Sequence, residues 1–231
     1  MGFLWGGVRE AVRLLFHGDA ATYHATWVSL LCTLVSITVA ALLAVPYGAW
    51  LGLYRPRGWR AQVFLLRVGM SVPTVVIGLL VFGFLSRSGP LGSLDLLYTK
   101  GAMAAGLVLL AFPLLGTLAH GAAASLDARV VETARTLGAG RWRALLTSLG
   151  EARVALAAAY LAAFGRCFTE LGIAITVGGN LKLRTRTLPS SIQLELGHGD
   201  FAAAVAPGIL LLLLAAVAAM VTHRLAREAR R

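Results

Sequence analysis

Five stretches of this sequence are long and apolar enough to cross a lipid bilayer, and no other feature constrains the fold as much. A spanning helix needs about 20 apolar residues. The stretches run over about 25–53, 63–85, 102–126, 154–177 and 201–223, and Arg166 and Glu170 interrupt the fourth. Only helices and closed barrels satisfy their backbone in lipid. Runs of this length predict an all-α, polytopic membrane helical bundle of about five transmembrane helices. Composition agrees: 58% of residues are hydrophobic and 13% charged, too little charge to cover a soluble surface. The net charge of +11 falls between the apolar runs rather than on one face of a soluble module, which argues against a nucleic-acid partner. Cys32 and Cys167 each lie inside an apolar run and read as small buried hydrophobes, not as a disulfide or metal pair. No cleavable leader is expected, because the first long apolar run starts near Thr22 and no processing site follows it.

Basic residues in short loops set orientation. Arg55, Arg57 and Arg60 follow the first span. Arg129, Arg135, Arg141, Arg143 and Arg153 follow the third, and Arg224, Arg227, Arg230 and Arg231 follow the fifth. With five spans these segments share one side, which places them in the cytoplasm of a plasma (inner) membrane. The N-terminus is then outside and the C-terminus, a basic tail over 224–231, inside. Residues 1–21 form a separate N-terminal segment, in which FLWGGVREAVRLLFH (3–17) reads as an amphipathic helix either lying on the outer interface or buried. Pro46, Pro73, Pro113 and Pro207 lie in or near spans and predict kinks. Plentiful small residues predict close helix packing.

The loop 127–153, VVETARTLGAGRWRALLTSLG at its centre, is polar and basic between two apolar spans. Its pattern predicts one or two helical turns over 132–137, a break at Gly138-Ala139-Gly140, and an amphipathic helix from Arg141. Leu137, Leu145, Leu146 and Leu149 would supply apolar contacts while Arg135, Arg141 and Arg143 stay accessible. A compact helical hairpin of this kind suits a groove on a partner. Glu132-Thr133-Ala134, three residues, then Gly138 resembles the EAA loop of ABC importer permeases. Thr133 replaces the family's middle alanine, and Leu149-Gly150 stands where the family often has Leu-Pro. The resemblance implies a membrane-spanning domain over 22–223. It also implies a coupling helix built on Glu132, Thr133, Ala134, Gly138, Arg141 and Arg143. Two copies of a cytoplasmic ATPase subunit would dock there and carry the ATP-Mg. An extracytoplasmic substrate-binding protein and a second copy of this chain are the other implied partners.

A second stretch, RCFTELGIAITVGGNLKLRTRTLPSSIQLELGHGDF (166–201), resembles the oxyanion branch of those permeases and most closely the tungstate-uptake members. Glu170-Leu171-Gly172, Gly178-Gly179-Asn180, Thr185-Arg186-Thr187 and Gly199-Asp200-Phe201 carry the match. Molybdate permeases share much of it, and molybdate or sulfate is the alternative cargo. Arg166 and Glu170 are four residues apart and share a face if one helix holds both. Ionisable groups at that depth face the bundle interior or water. They either line the path of a dianion or form a structural pair. Lys182, Arg184 and Arg186 suit an arriving anion. Asn180, Thr185 and Thr187 either donate to its oxygens or belong to a loop that meets the lobes of a binding protein or is a solvated turn. Arg166, Glu170, Gly178, Gly179, Asn180, Thr185, Arg186 and Thr187 are thus the candidate path or gate.

No GxxxxGK(S/T) phosphate loop, HExxH or GxSxG occurs. The chain is therefore expected to have no catalytic residues, metal or cofactor of its own, and the resemblance implies a permease that leaves ATP hydrolysis to its partner. Two rival readings remain from the sequence. One is a passive anion channel, which would need no EAA loop; the other is an integral membrane enzyme or assembly scaffold, and an enzyme should show a polar catalytic cluster at a span end.

Overall fold

The computed structural model describes residues 20–228. The expected 3–17 helix and the last three residues of the basic tail lie outside them. The described residues form ten α-helices and one 3-10 turn, with no strand. In chain order these are α1 (Ala20–Tyr54), α2 (Trp59–Ser71), α3 (Thr74–Leu85), the 3-10 turn Gly92–Leu94 and α4 (Lys100–Ala124). Then come α5 (Ala128–Thr136), α6 (Arg141–Glu151), α7 (Arg153–Phe168), α8 (Gly172–Thr176), α9 (Leu188–Gly197) and α10 (Phe201–Glu228).

Three of these, α1, α4 and α10, are long and apolar enough to cross a membrane, and the broken pairs α2–α3 and α6–α7 raise the number to five if each is one span. The 35 residues of α1 reach about 52 Å at 1.5 Å per residue, well beyond a hydrocarbon core of about 30 Å. Apolar residues surround α1 on all sides, as expected of a helix facing lipid and protein at once. Leu42 is 72% exposed and Leu43 and Trp27 are also bare.

The expected second span, 63–85, is not one helix. Its backbone turns extended at Val72 (ψ 127) and Pro73 (ψ 131). Proline disfavours helix at the residue before it, and α2 ends there. The expected fourth span, 154–177, also breaks: α7 stops at Phe168 and α8 resumes at Gly172. At its other end α7 meets α6 at a bend of 74°.

The chain divides into two compact units. The first comprises residues up to Val35, Pro73–Leu107 and Arg166–Val217. Inside it, α8 packs closely on α3, and a Cβ at Gly78 would fall against Thr176 Oγ1. The Tyr98 N–H donates to Val177 O (3.0 Å), and Ser29 Oγ accepts the Leu188 N–H (2.9 Å). The second unit comprises Ser36–Val72, Val108–Gly165 and residues from Ala218. There α1 and α4 come into backbone contact through Gly48 and Gly52, spaced four apart. A Cβ on Gly48 would lie 2.2 Å from Gly116 O, and one on Gly52 2.8 Å from His120 O. Small residues at this spacing let membrane helices approach closely. Tyr47 Oη donates to Gln62 Oε1 (2.8 Å), which ties α1 to α2.

Because the obstacle at Gly48 is backbone, it cannot swing aside. Gly48→Ala should destabilise the protein by about 1–3 kcal/mol through overpacking. Gly150→Ala, whose added Cβ meets nothing within 4 Å, should leave the melting temperature in detergent unchanged. Equal melting of the two variants would contradict this packing.

Candidate functional site

The helical hairpin between α4 and α7 is built from local rules. Asp127 caps α5, its carboxylate accepting the Arg129 N–H at 2.9 Å. At the other end the chain must turn within two residues. Gly138 does so with φ +83, a left-handed conformation that costs a residue with a Cβ about 1–2 kcal/mol. The Gly138 N–H donates to Arg135 O (3.0 Å) and the Ala139 N–H to Ala134 O (2.9 Å), the paired bonds of a Schellman stop. From Gly140 the chain re-enters helix as α6.

α6 is packed within the second unit. Leu145 is buried against Ala49 and Ala123, with Leu53 and Leu149 packed beside it. Tyr54 Oη donates to Arg141 O (2.8 Å). Of the leucines expected to make apolar contacts, Leu145 and Leu149 do so within the chain. Leu146 is exposed and Leu137, at the hairpin tip, is 83% exposed. Glu132, Thr133, Arg135, Gly138, Arg141 and Arg143 are exposed, and Ala134 is half-buried. Between α5 and α6 lies a groove of about 610 Å³, with Thr133, Ala134 and Leu137 on one wall, Gly138 at its end and Arg143 on the other wall. The arrangement is a braced, basic hairpin with a bare leucine at its tip.

The second set of residues lies in the first unit. Arg166 Nη1 donates to Glu170 Oε2 at 2.8 Å. Glu170 does not lie on the same helix as Arg166, as the sequence spacing suggested. It lies in the break after α7, where its other oxygen, Oε1, accepts the Gly172 N–H (2.8 Å) and the Ile173 N–H (3.4 Å). One buried carboxylate therefore satisfies the open amides of α8 and holds Arg166. Non-helical backbone at membrane depth persists only where its polar groups find such partners. The Arg166 side chain remains 46% exposed. Glu170 and Thr187 also line one small cavity, of about 10 Å³. That is room for one water at most, not for a tetrahedral oxyanion.

Gly178, Gly179 and Asn180 turn the chain sharply. Gly179 (φ +67) and Asn180 (φ +49) are left-handed, and a Cβ on Gly178 would strike Met103 and Ala174 O. The polar side chains expected to meet an anion are engaged locally. Thr185 Oγ1 donates to Gly178 O (2.5 Å) and accepts the Leu181 N–H (3.1 Å). Asn180 Nδ2 donates to Ser190 O (3.1 Å), and Asn180 Oδ1 accepts from Ser190 Oγ (2.9 Å). Thr187 caps α9 in a reciprocal box with Ser190. Lys182 and Arg184 are exposed, and Arg186 is half-buried with Nε lacking a hydrogen-bond partner. Ser29 and Ser190, which hold this turn, were not singled out from sequence. Thr187-Leu188-Pro189-Ser190, a capping residue followed by an early proline, is the signal that could have found Ser190.

Apolar helices long enough to cross a membrane, together with one braced basic hairpin, define a class, and comparison with known proteins agrees. The chain belongs to the family of binding-protein-dependent transport system inner membrane components, which it matches over residues 44–231. It is 32% identical to the tungstate uptake system permease protein TupB of Peptoclostridium acidaminophilum, over 99% of this chain and 100% of that protein. It is also 32% identical to TupB of Campylobacter jejuni, over 98% and 95%. The molybdenum transport system permease protein ModB of Escherichia coli is 30% identical, over 88% of this chain and 95% of that protein. In fold, the chain resembles an inward-facing MetNI methionine ABC transporter chain, with a TM-score of 0.73 at 18% identity, covering 93% of this chain and 98% of that one. Family membership makes this chain a multi-pass membrane component.

Proposed function

We propose that this chain is the permease subunit of an ATP-driven importer whose cargo is tungstate. Two copies form the transmembrane part. Two cytoplasmic ATPase subunits, which carry ATP-Mg, dock on the α5–Gly138–α6 hairpin, and an extracytoplasmic binding protein delivers the anion to the opposite face. The observation that carries this reading is the hairpin itself. Its stop at Gly138 is closed by two hydrogen bonds, its root is packed on Ala49 and Ala123, and its tip presents an exposed Leu137 among arginines, uncovered by the other described residues. A rigid, anchored element transmits displacement into the bundle, as a floppy loop does not. Similarity to the two tungstate permeases across nearly the whole chain supports tungstate as the cargo.

The orientation rests on the arginines, which put the hairpin and the C-terminal tail in the cytoplasm and the N-terminus outside. The path runs past Arg166, which is paired with Glu170 and partly exposed, and past the 178–187 turn. In that turn the cationic donors Lys182, Arg184 and Arg186 meet the anion. Gly178, Gly179, Asn180, Thr185 and Thr187 hold the turn in shape. Positive charge raises the local anion concentration.

Reconstituting the chain in liposomes with its ATPase and binding protein tests the reading. Tungstate, counted by elemental mass spectrometry, should accumulate only with ATP inside the ATPase compartment. Accumulation without ATP would identify a passive channel. ATP-driven uptake of molybdate or sulfate with tungstate excluded would reassign the cargo.

A further inference from the structure

Beside the hairpin root, a groove of about 410 Å³ runs between the end of α1 and the start of α6. Pro46, Tyr47, Trp50 and Tyr54 form one wall, and Arg141 and Trp142 the other. Trp142 is 62% exposed, and Trp50 is exposed as well. Nothing in the coupling role requires a deep aromatic slot on the side of α1.

Its surroundings specify a ligand with one anionic end and one long apolar end. Leu42, Pro46, Trp50 and Tyr54 are spaced by four and lie along one face of α1. From Leu42 to Tyr54 the stripe is about 18 Å long, close to the roughly 15 Å of one hydrocarbon leaflet. At the Tyr54 end the charges brought by the α1–α2 segment and by the start of α6 are positive. Arg55, Arg57 and Arg141 are exposed there, and no acidic residue occurs between Asp19 and Asp95 in the sequence. Tryptophan and tyrosine favour the membrane–water boundary, and basic pockets on the cytoplasmic side favour anionic headgroups.

We propose that this groove binds an anionic phospholipid of the cytoplasmic leaflet, its phosphate at Arg141 and one acyl chain along Trp50, Pro46 and Leu42. The proposal rests on the permease reading only for the placement of this end of α1 at the cytoplasmic boundary. A bound lipid would brace the root of the hairpin from the membrane side, because Tyr54 already joins Arg141 to α1.

The test needs neither ATPase nor transport, so its failure is separable from failure of the importer reading. The full chain, purified in mild detergent, is mixed with equal amounts of phosphatidylglycerol and phosphatidylcholine of the same acyl chains. Retained lipid is counted by native mass spectrometry. The wild type should retain phosphatidylglycerol preferentially. Arg141→Gln should lower that retention about fivefold, the effect of one arginine at an anionic surface. Trp50→Ala should lower retention of both lipids, and Arg87→Gln, an exposed arginine of the other unit, should change nothing. Equal retention of the two lipids, or equal losses in Arg141→Gln and Arg87→Gln, would overturn the proposal. So would a Trp142→Cys variant that added copper phenanthroline, as oxidant, crosslinks to a second copy of itself in native membranes through the two introduced thiols, since protein would then cover the groove.

Discussion

Gly138→Pro should abolish ATP-driven uptake while leaving the amount of protein in the membrane unchanged. The substitution fails on two counts. Proline fixes φ near −65°, whereas position 138 sits at +83. Proline also lacks the N–H that Gly138 donates to Arg135 O. The end of α5 then unwinds or swings, and Leu137 no longer stands where a partner's groove could take it. The spans are untouched, so insertion proceeds. Gly140→Ala supplies the control. Gly140 has φ −65, an ordinary value, and an added Cβ there meets nothing within 4 Å. Uptake by Gly140→Ala should match wild type. Gly138→Ala should fall between, losing about 1–2 kcal/mol of the hairpin's stability. Normal uptake by Gly138→Pro would show that the hairpin does not transmit the ATPase stroke.

The second large effect is expected at Glu170. Breaking a buried ion pair by removing one partner costs about 3–5 kcal/mol where both charges are buried. Arg166 is partly exposed, and solvent screens the loss, so Glu170→Gln should cost less, about 1–2 kcal/mol. Glu170→Ala removes the acceptor for Gly172 as well and should be much worse, with little folded protein recovered. Asp95→Asn, at an exposed position, should melt like wild type. A charge swap separates the two duties of Glu170. Arg166→Glu with Glu170→Arg restores an ion pair but leaves the Gly172 and Ile173 amides without an acceptor, because a guanidinium only donates. The swap should therefore fail to rescue thermal stability. Full rescue would mean that only the ion pair matters and that the amide bonds are incidental.

These two sites also differ in how far the sequence reveals them. The hairpin is legible because its signals are local. A glycine two residues beyond the end of a short amphipathic helix reads as a stop, and the next basic amphipathic run reads as a restart. The apolar runs likewise announce an all-helical membrane bundle. The breaks inside spans are harder. Pro73 marks a kink, but not that α2 and α3 are separate helices. The break after Phe168 has no proline. It is held by Glu170, whose carboxylate satisfies amides two and three residues onward, a role that charge and spacing alone do not distinguish from ion pairing. Asn180, Thr185 and Thr187 illustrate the same difficulty. Short polar side chains readily bond to their own backbone, and here their partners are Gly178, Leu181 and Ser190. The close approach at Gly48 and Gly52 depends on which helix α1 meets, and the chain pattern of α1 alone does not specify that partner.

The central claim is that the hairpin is the seat of an ATPase. It is tested most directly by purifying the tagged chain from its native membranes in mild detergent and counting what comes with it. An ATPase subunit should come in one-to-one ratio with this chain and be lost when Glu132 and Gly138 are both substituted while the permease dimer survives. A dimer recovered repeatedly without any ATPase, or an ATPase retained undiminished by the doubly substituted chain, would contradict it.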